Sequence, residues 1–503
     1  MFGGNRVADN HRMRIVVMGA GIAGLSAGLA LGRRGHQVVV LDKDTHPPPG
    51  QPGRAAGTWS RPGVGHFRQP HNFLGAGRRV LRDQAPDVYA RLLQTGAGEV
   101  DQAALLSGPP AEGDEDLATI ACRRPVFEAV LRDAAGAEPT VQIAVGARAR
   151  GLVVERDRDG RARVTGVRLT SATVEADLVV DALGRTSPAT GWLGHAAVER
   201  PPALVSDCGI VYFSRHFRVR PGRSLPNGPY ILGGPRGDLG YLAFATFIGD
   251  SGTFCVAIMV GAGDEELKKV LRRPVPFMAA ASALPGMAAW VDPGIAEPIS
   301  DVLPMGRIRN VFRPMASNGR PAVSGYRPIG DAWIHTNATF AFGASLALIH
   351  GFSLAALLGE HGYVVTANEA FEAAHAADAR QRWASVTAED RDRTRWWSGE
   401  TIDPLDPASS MPLFLRFVVY PAATRDPEIC RRVARRIDAL DPIDALEADS
   451  VLLERARRIH HTLAASGQLP PPGRPERAEL LAAVTAAETE DRHPVGSART
   501  RYR

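Results

Sequence analysis

The chain has 503 residues, 45% of them hydrophobic and 22% charged, which reads as soluble and globular with room for two or three domains. Its formal net charge of +5 comes from arginines scattered among acids rather than from a basic block, which argues against nucleic-acid binding. Cys122, Cys208, Cys255 and Cys430 stand far apart without a CxxC pair, so neither a disulfide framework nor a metal site is expected, and a reduced cytoplasmic setting fits.

In chain order, a polar N-terminal dozen without signal-peptide character precedes an apolar run, Ile15 to Met18, read as a strand. Gly19-Ala20-Gly21-Ile22-Ala23-Gly24 follows, and then a small-residue helix pattern from Leu25 to Arg34. Three glycines at this spacing give a tight turn, close backbone approach to a phosphate, and close packing of helix on strand. A pyrophosphate placed there meets the free N–H groups and positive end of the helix. The next strand, Gln37 to Leu41, ends in Asp42, an acid about twenty positions past the turn, where a ribose 2'-OH is recognised. These features predict an adenine dinucleotide site.

A Pro/Gly-rich loop, Pro47 to Gly65, is too irregular for a regular element and long enough to suggest function. It leads into Arg68-Gln69-Pro70-His71, then amphipathic helices at Phe73 to Arg82 and Pro86 to Gln94, and a helix from Arg124 to Ala134 with Pro125 in its first turn. Gly151 to Arg156 and Val164 to Leu169 flank the turn Asp157-Arg158-Asp159-Gly160 and predict a hairpin. Ala176 to Ala182 is almost continuously apolar, as a strand covered on both faces must be.

From Val205 to Pro304 the pattern shifts to aromatic and β-branched runs at Ile210 to Phe213, Pro229 to Leu232, Tyr241 to Phe247 and Thr253 to Val260, read as an inserted antiparallel sheet. Pro321 to Gly325 is read as a return strand before Gly330-Asp331. Ala341 to Gly359 is long and uncharged enough to raise the question of a membrane span, but its Gly, Ala, Ser and His350 content suits a helix packed inside a protein. Helices at Pro427 to Leu440, capped by Asp426, and at Ala445 to Leu463 follow. Their amphipathicity suits either a pocket cover or a dimer contact. The expected division is 1–200 and 305–365 for the two parts of a nucleotide-binding domain, 201–304 for the sheet insert, 366–470 for a helical region, and 471–503 for a tail whose composition fits disorder.

A second glycine and acid cluster, Gly330-Asp331 with Ala341-Phe342-Gly343, lies far downstream of the first and argues for a ligand longer than a nicotinamide dinucleotide. Together these residues resemble the FAD-dependent monooxygenase superfamily of the aromatic-hydroxylase type. Gly19, Gly21, Gly24 and Asp42 match its dinucleotide fingerprint, with Lys43 beside it as a further cofactor contact. Arg124 matches an arginine near FAD, Gly330-Asp331 the flavin-ribityl motif, and Gly343 the helix start that faces the flavin pyrimidine. The Arg68-Gln69-Pro70-His71 region and Asp331-Ala332-Trp333-Ile334-His335-Thr336-Asn337 look like a bacterial branch that includes flavin-dependent epoxidases of polyether biosynthesis.

The resemblance implies an α/β fold: a Rossmann-like FAD-binding domain, an inserted antiparallel substrate sheet and a helical C-terminal region. It implies a monooxygenase that uses FAD and O2 and places one oxygen atom, by epoxidation or hydroxylation, in a hydrophobic secondary metabolite through a flavin C4a-hydroperoxide. His71, His335 and Asn337 are the catalytic candidates, no metal ligand is expected, and Tyr212, Phe213, Tyr230, Tyr241, Phe244 and Phe247 are candidates for the substrate floor. Two positions depart from the family. Leu183 stands where its middle Asp-Gly motif carries aspartate, so of the two routes for electrons from NAD(P)H, directly or through a separate flavin reductase, the resemblance favours the second. Ala338 stands where a proline is usual. A flavin-dependent halogenase, an isoprenoid-type reductase and a non-catalytic flavin- or NAD-binding module are the rival readings. The halogenase Trp-x-Trp-x-Ile-Pro motif is absent, the nearest tryptophans being Trp396-Trp397.

Overall fold

A computed structural model describes residues 12–106, 109–228, 230–317, 319–406, 408–469 and 475–492. Its centre is a five-stranded parallel sheet in the order Tyr326–Pro328, Leu178–Asp181, Arg14–Met18, Gln37–Asp42, Val141–Val145. Ile15 to Met18 and Leu178 to Val180 are almost entirely buried, as strands covered on both faces require. The helices Ile22–Gly32 and Phe342–His361 cross closely: a Cβ on Gly351 would stand 2.8 Å from Ser26 Cβ and from the Ala27 nitrogen. Helix 342–361 is long and apolar enough to cross a membrane, yet 67% of its apolar window is buried inside this fold.

The hairpin forms at Gly151–Arg156 and Ala162–Arg168, and Asp157 accepts hydrogen bonds from the backbone N–H groups of Asp159 and Arg161 in the turn. A second, antiparallel sheet runs Arg236–Asp238, Leu242–Ile248, Thr253–Gly261, Ile210–Val219, Ala296–Pro298, with Leu303–Met305 also on Ile210–Val219. Alternation divides its faces. Phe213, Phe217, Phe244, Phe254 and Ile258 form its own core, while Tyr212, Ala243, Ala245, Ala257 and Met259 lie on the opposite face. A three-stranded sheet is formed by Leu204–Asp207, Arg309–Phe312 and Ile334–His335.

Three expectations change. Ile231–Gly233 is a helical turn, not part of a strand at Pro229 to Leu232, because Gly and Pro punctuate that short apolar run; Pro229 lies outside the described residues. The strand that returns to the parallel sheet is Tyr326–Pro328 rather than Pro321 to Gly325, and Gly325, at φ +72°, turns the chain into it. Within the expected disordered tail, Arg477–Arg492 is a helix that buries Leu480 and Val484 in the sheet insert's core. Residues 471–474 and 493–503 of that tail lie outside the described residues.

The C-terminal helices are Val364–Trp397, Pro427–Ile437 and Ser450–Ala465. Asp426 caps the second, accepting from the Glu428 and Ile429 N–H groups at 3.0 Å each, and Asp449 caps the third. Leu480→Ala should lower stability by about 2–4 kcal/mol in urea unfolding, since it empties a buried site. A midpoint equal to wild type would show that helix 477–492 does not pack on the insert.

Candidate functional site

The glycine turn has three distinct local requirements. Gly19 has φ +105°, and a Cβ there would lie 2.5 Å from the Ala182 carbonyl oxygen; at Gly24 a Cβ would lie 1.8 Å from the Gly19 oxygen. At Gly21 the nearest neighbour of such a Cβ is Arg124 Nη2, at 3.8 Å. The outer two glycines therefore let backbone pack on backbone, and the middle one leaves open the approach to the N-terminus of helix Ile22–Gly32.

A groove of about 810 Å3 runs from this turn past Asp42, Lys43 and Arg124 to Asp331, His335 and Gly343. Seven of the expected cofactor residues line it: Gly19, Gly21, Asp42, Lys43, Arg124, Asp331 and Gly343. Gly24 and Gly330 act from behind. Gly330, at φ +54°, sits against Ala23, and its N–H donates to His350 Nδ1 at 3.1 Å. That contact fixes the turn presenting Asp331.

Under the turn lies a buried ion network that sequence reasoning missed. Arg61 donates to Asp42 at 2.8 Å, to Asp44 at 3.2 Å, to the Ala20 carbonyl at 2.6 Å and to Glu128. Arg132 takes the other Asp42 oxygen at 2.7 Å, and Arg124 takes the other Glu128 oxygen at 2.9 Å. Burial works against the Arg61 charge, but Glu128, Asp42 and Asp44 outweigh it and raise its pKa. Asp42 thus has a role its spacing did not announce: both its oxygens anchor arginines while the residue lines the groove. Arg61 lies within the irregular Pro/Gly-rich loop and carries no motif; its only sequence signal was that loop's length.

The three catalytic candidates fare differently. His71 Nδ1–H donates to the Gln69 carbonyl at 2.8 Å, while Nε2 accepts from Arg124 Nη1 at 3.2 Å. The ring is therefore neutral, and burial, with the Arg124 charge second, lowers its pKa to about 3. His66 stacks on it at 5.6 Å. His335 Nδ1 meets Asp331 at 3.1 Å, leaving Nε2 buried without a hydrogen-bond partner among the described residues. Burial raises the Asp331 pKa, but His335, His66 and Arg124 together hold it well below the usual carboxylate range.

Asn337 is a structural hub rather than a free catalytic group. Its amide donates to Asp390 at 2.6 Å, its carbonyl accepts from Tyr212 and from the Thr339 N–H, and its own N–H donates to Asn310 at 2.7 Å. Every polar atom is taken. The capped turn Ala338–Phe340 leads to Ala341, left-handed at φ +56°, just before the helix. Of the six aromatic candidates, Phe247 alone lines the cavities described here; Phe213 and Phe244 fill the sheet's outer core.

The comparisons with known proteins agree with the fold. Residues 14–135 match the family described as FAD dependent oxidoreductase. The fold of the chain is similar to that of PqsL, a probable FAD-dependent monooxygenase from Pseudomonas aeruginosa, with a TM-score of 0.54 at 15% identity over 77% of this chain and 99% of that one. It is also similar to the flavin-dependent brominase Bmp2, with a TM-score of 0.56 at 14% identity over 91% of this chain and 99% of that one. The OxyS anhydrotetracycline hydroxylase from Streptomyces rimosus gives 0.54 at 18% identity over 86% and 76%. A comparison with curated protein sequences returns no match.

The residues present fit FAD. An open Cβ position at Gly21, an adjoining helix N-terminus and the Arg124 guanidinium suit a pyrophosphate, and the groove continues far enough to take the flavin half. Gly21→Leu should abolish FAD uptake while leaving the far-ultraviolet circular dichroism unchanged, because the added side chain fills the groove and not the core. Stoichiometric flavin in that variant would contradict the phosphate assignment.

Unfolded histidine titrates near about 6.5. Between that value and about 3 the unfolded chain holds the His71 proton that the fold excludes, so stability falls as the pH falls through this window. His71→Gln is expected to lose less stability than wild type between about pH 7 and 4, measured as urea midpoints; parallel curves would show that His71 is not held neutral.

Proposed function

We propose that this chain is an FAD-dependent monooxygenase that places one oxygen atom of O2 into a hydrophobic secondary metabolite, by epoxidation or hydroxylation. One observation carries the reading: Phe247, Met305 and Ile308, from the sheet insert and the segment after it, line the same groove as Gly21, Arg124 and Asp331. A cofactor bound along the groove would thus run from the glycine turn to an apolar wall. Reduced FAD, when bound, supplies the activation of oxygen, and the protein's part is to bind, orient and exclude water.

The chain's own residues suit those tasks. The N-terminus of helix Phe342–His361 borders the groove and favours negative charge there by about 1 kcal/mol. Asp331 fixes the His335 tautomer with the proton on Nδ1, which makes Nε2 the atom placed to accept or hand on a proton. His71, neutral and tied to Arg124, excludes water at the groove wall. NAD(P)H would supply the electrons, and Leu183 in place of the family's aspartate supports delivery through a separate flavin reductase.

The halogenase reading gains nothing from Trp396-Trp397, since Trp397 Nε1 donates to Asp238 at 2.8 Å and neither residue lines the groove. FAD-loaded protein, chemically reduced and mixed with 18O2 and a mixture of phenolic and olefinic polyketides, should give products carrying one labelled oxygen. Halide-dependent products without label would overturn the reading in favour of a halogenase. Saturated products formed without oxygen would overturn it in favour of a reductase.

A further inference from the structure

A second cavity, of about 330 Å3, lies behind His71 and shares Gln69, Pro70, His71 and Phe247 with the cofactor groove. Its size is at the lower end for small-molecule sites. Much of the remaining wall is apolar, including Phe254, Ile299 and Leu303. Burial pushes the Cys255 thiol above its usual range, so it acts there as a small apolar residue.

Three charged side chains line this cavity, and Arg123 is already paired. Arg123 donates to Asp250 through Nε at 2.9 Å and Nη2 at 2.6 Å. Asp301 lies in the field of Arg215, where it supports that guanidinium against the effect of burial. Arg68 is different. Its carbonyl accepts from His216 Nε2 at 2.8 Å, but its exposed guanidinium has no hydrogen bond or ion pair among the described residues. It lines this cavity and not the cofactor groove.

An uncommitted guanidinium beside a ring-sized apolar cavity matches a molecule with an apolar body and one planar anionic group, because the guanidinium fork pairs two N–H donors with two carboxylate oxygens. We propose that this cavity binds the organic substrate, that the substrate is a compact, largely apolar carboxylic acid, and that Arg68 receives its carboxylate. The body of the acid then lies toward His71 and Phe247, the wall shared with the groove. This rests on the monooxygenase reading for the word substrate, and the binding site itself stands on the cavity and on Arg68.

Calorimetric titration of the FAD-loaded protein with benzoate and 1-naphthoate, against benzamide and 1-naphthamide, tests it. The acids should bind, the amides should bind at least about tenfold more weakly, and Arg68→Gln should weaken the acids by about ten- to a hundredfold while leaving the amides unchanged. Equal affinity for acids and amides, unchanged acid binding in Arg68→Gln, or no acid binding would overturn the proposal. Calorimetry needs no turnover, so the two readings can fail separately. Arg68-dependent acid binding in a protein that transfers no oxygen would support this site and overturn the monooxygenase. Oxygenation of an acid at unchanged KM in Arg68→Gln would do the reverse.

Discussion

The arrangement of the site depends on one buried charge network, in which Asp42, Asp44 and Glu128 are held by Arg61, Arg124 and Arg132. Charges this deep persist only while each keeps its partner, and removing one member of such a set leaves a buried charge that costs about 3–5 kcal/mol. The network therefore fixes three segments distant in sequence: the second strand of the parallel sheet, the Pro/Gly-rich loop and the helix Arg124–Ala137. Because Arg61 also holds the Ala20 carbonyl, the glycine turn is fixed with them.

The same network reaches the chemistry. Arg124 stands between Glu128 and His71, so the guanidinium suited to a pyrophosphate also adds to the burial that keeps His71 neutral at the wall between the two cavities. On the far side, Asn337 joins Tyr212 of the sheet insert to Asn310 and to Asp390 of the long C-terminal helix. Two polar hubs thus border the groove, one under the cofactor turn and one beside the sheet insert. Between them the Asp331–His335 pair keeps one buried atom, His335 Nε2, without a hydrogen-bond partner among the described residues.

Much of the central fold was legible because its signals are local. The apolar strands at Ile15 and Leu178, the glycine turn, the hairpin turn at Asp157 to Gly160 and the Asp426 cap each follow from neighbouring residues. What escaped depends on contacts between distant segments. Nothing near Arg61 announces that Glu128 will lie beside it, and nothing near Asn337 announces Asp390. Asp42 was found by spacing but not its arginine partners, which give its carboxylate an anchoring task as well. The helix Arg477–Arg492 was hidden because its apolar residues, Leu480 and Val484, stand in a polar tail and find their partners in the sheet insert. Arg68 was visible as a residue of interest, but only the shape of the second cavity separates it from the cofactor phosphates.

The central claim is that one extended FAD lies along the groove with its reactive end toward the sheet insert. A crystal structure of the protein soaked with FAD tests this most directly. The account predicts the pyrophosphate at Gly21 and Arg124, and the isoalloxazine between the Asp331–Gly343 side and Phe247. A pyrophosphate away from the glycine turn, or a flavin ring turned out to solvent with the apolar wall uncovered, would contradict it.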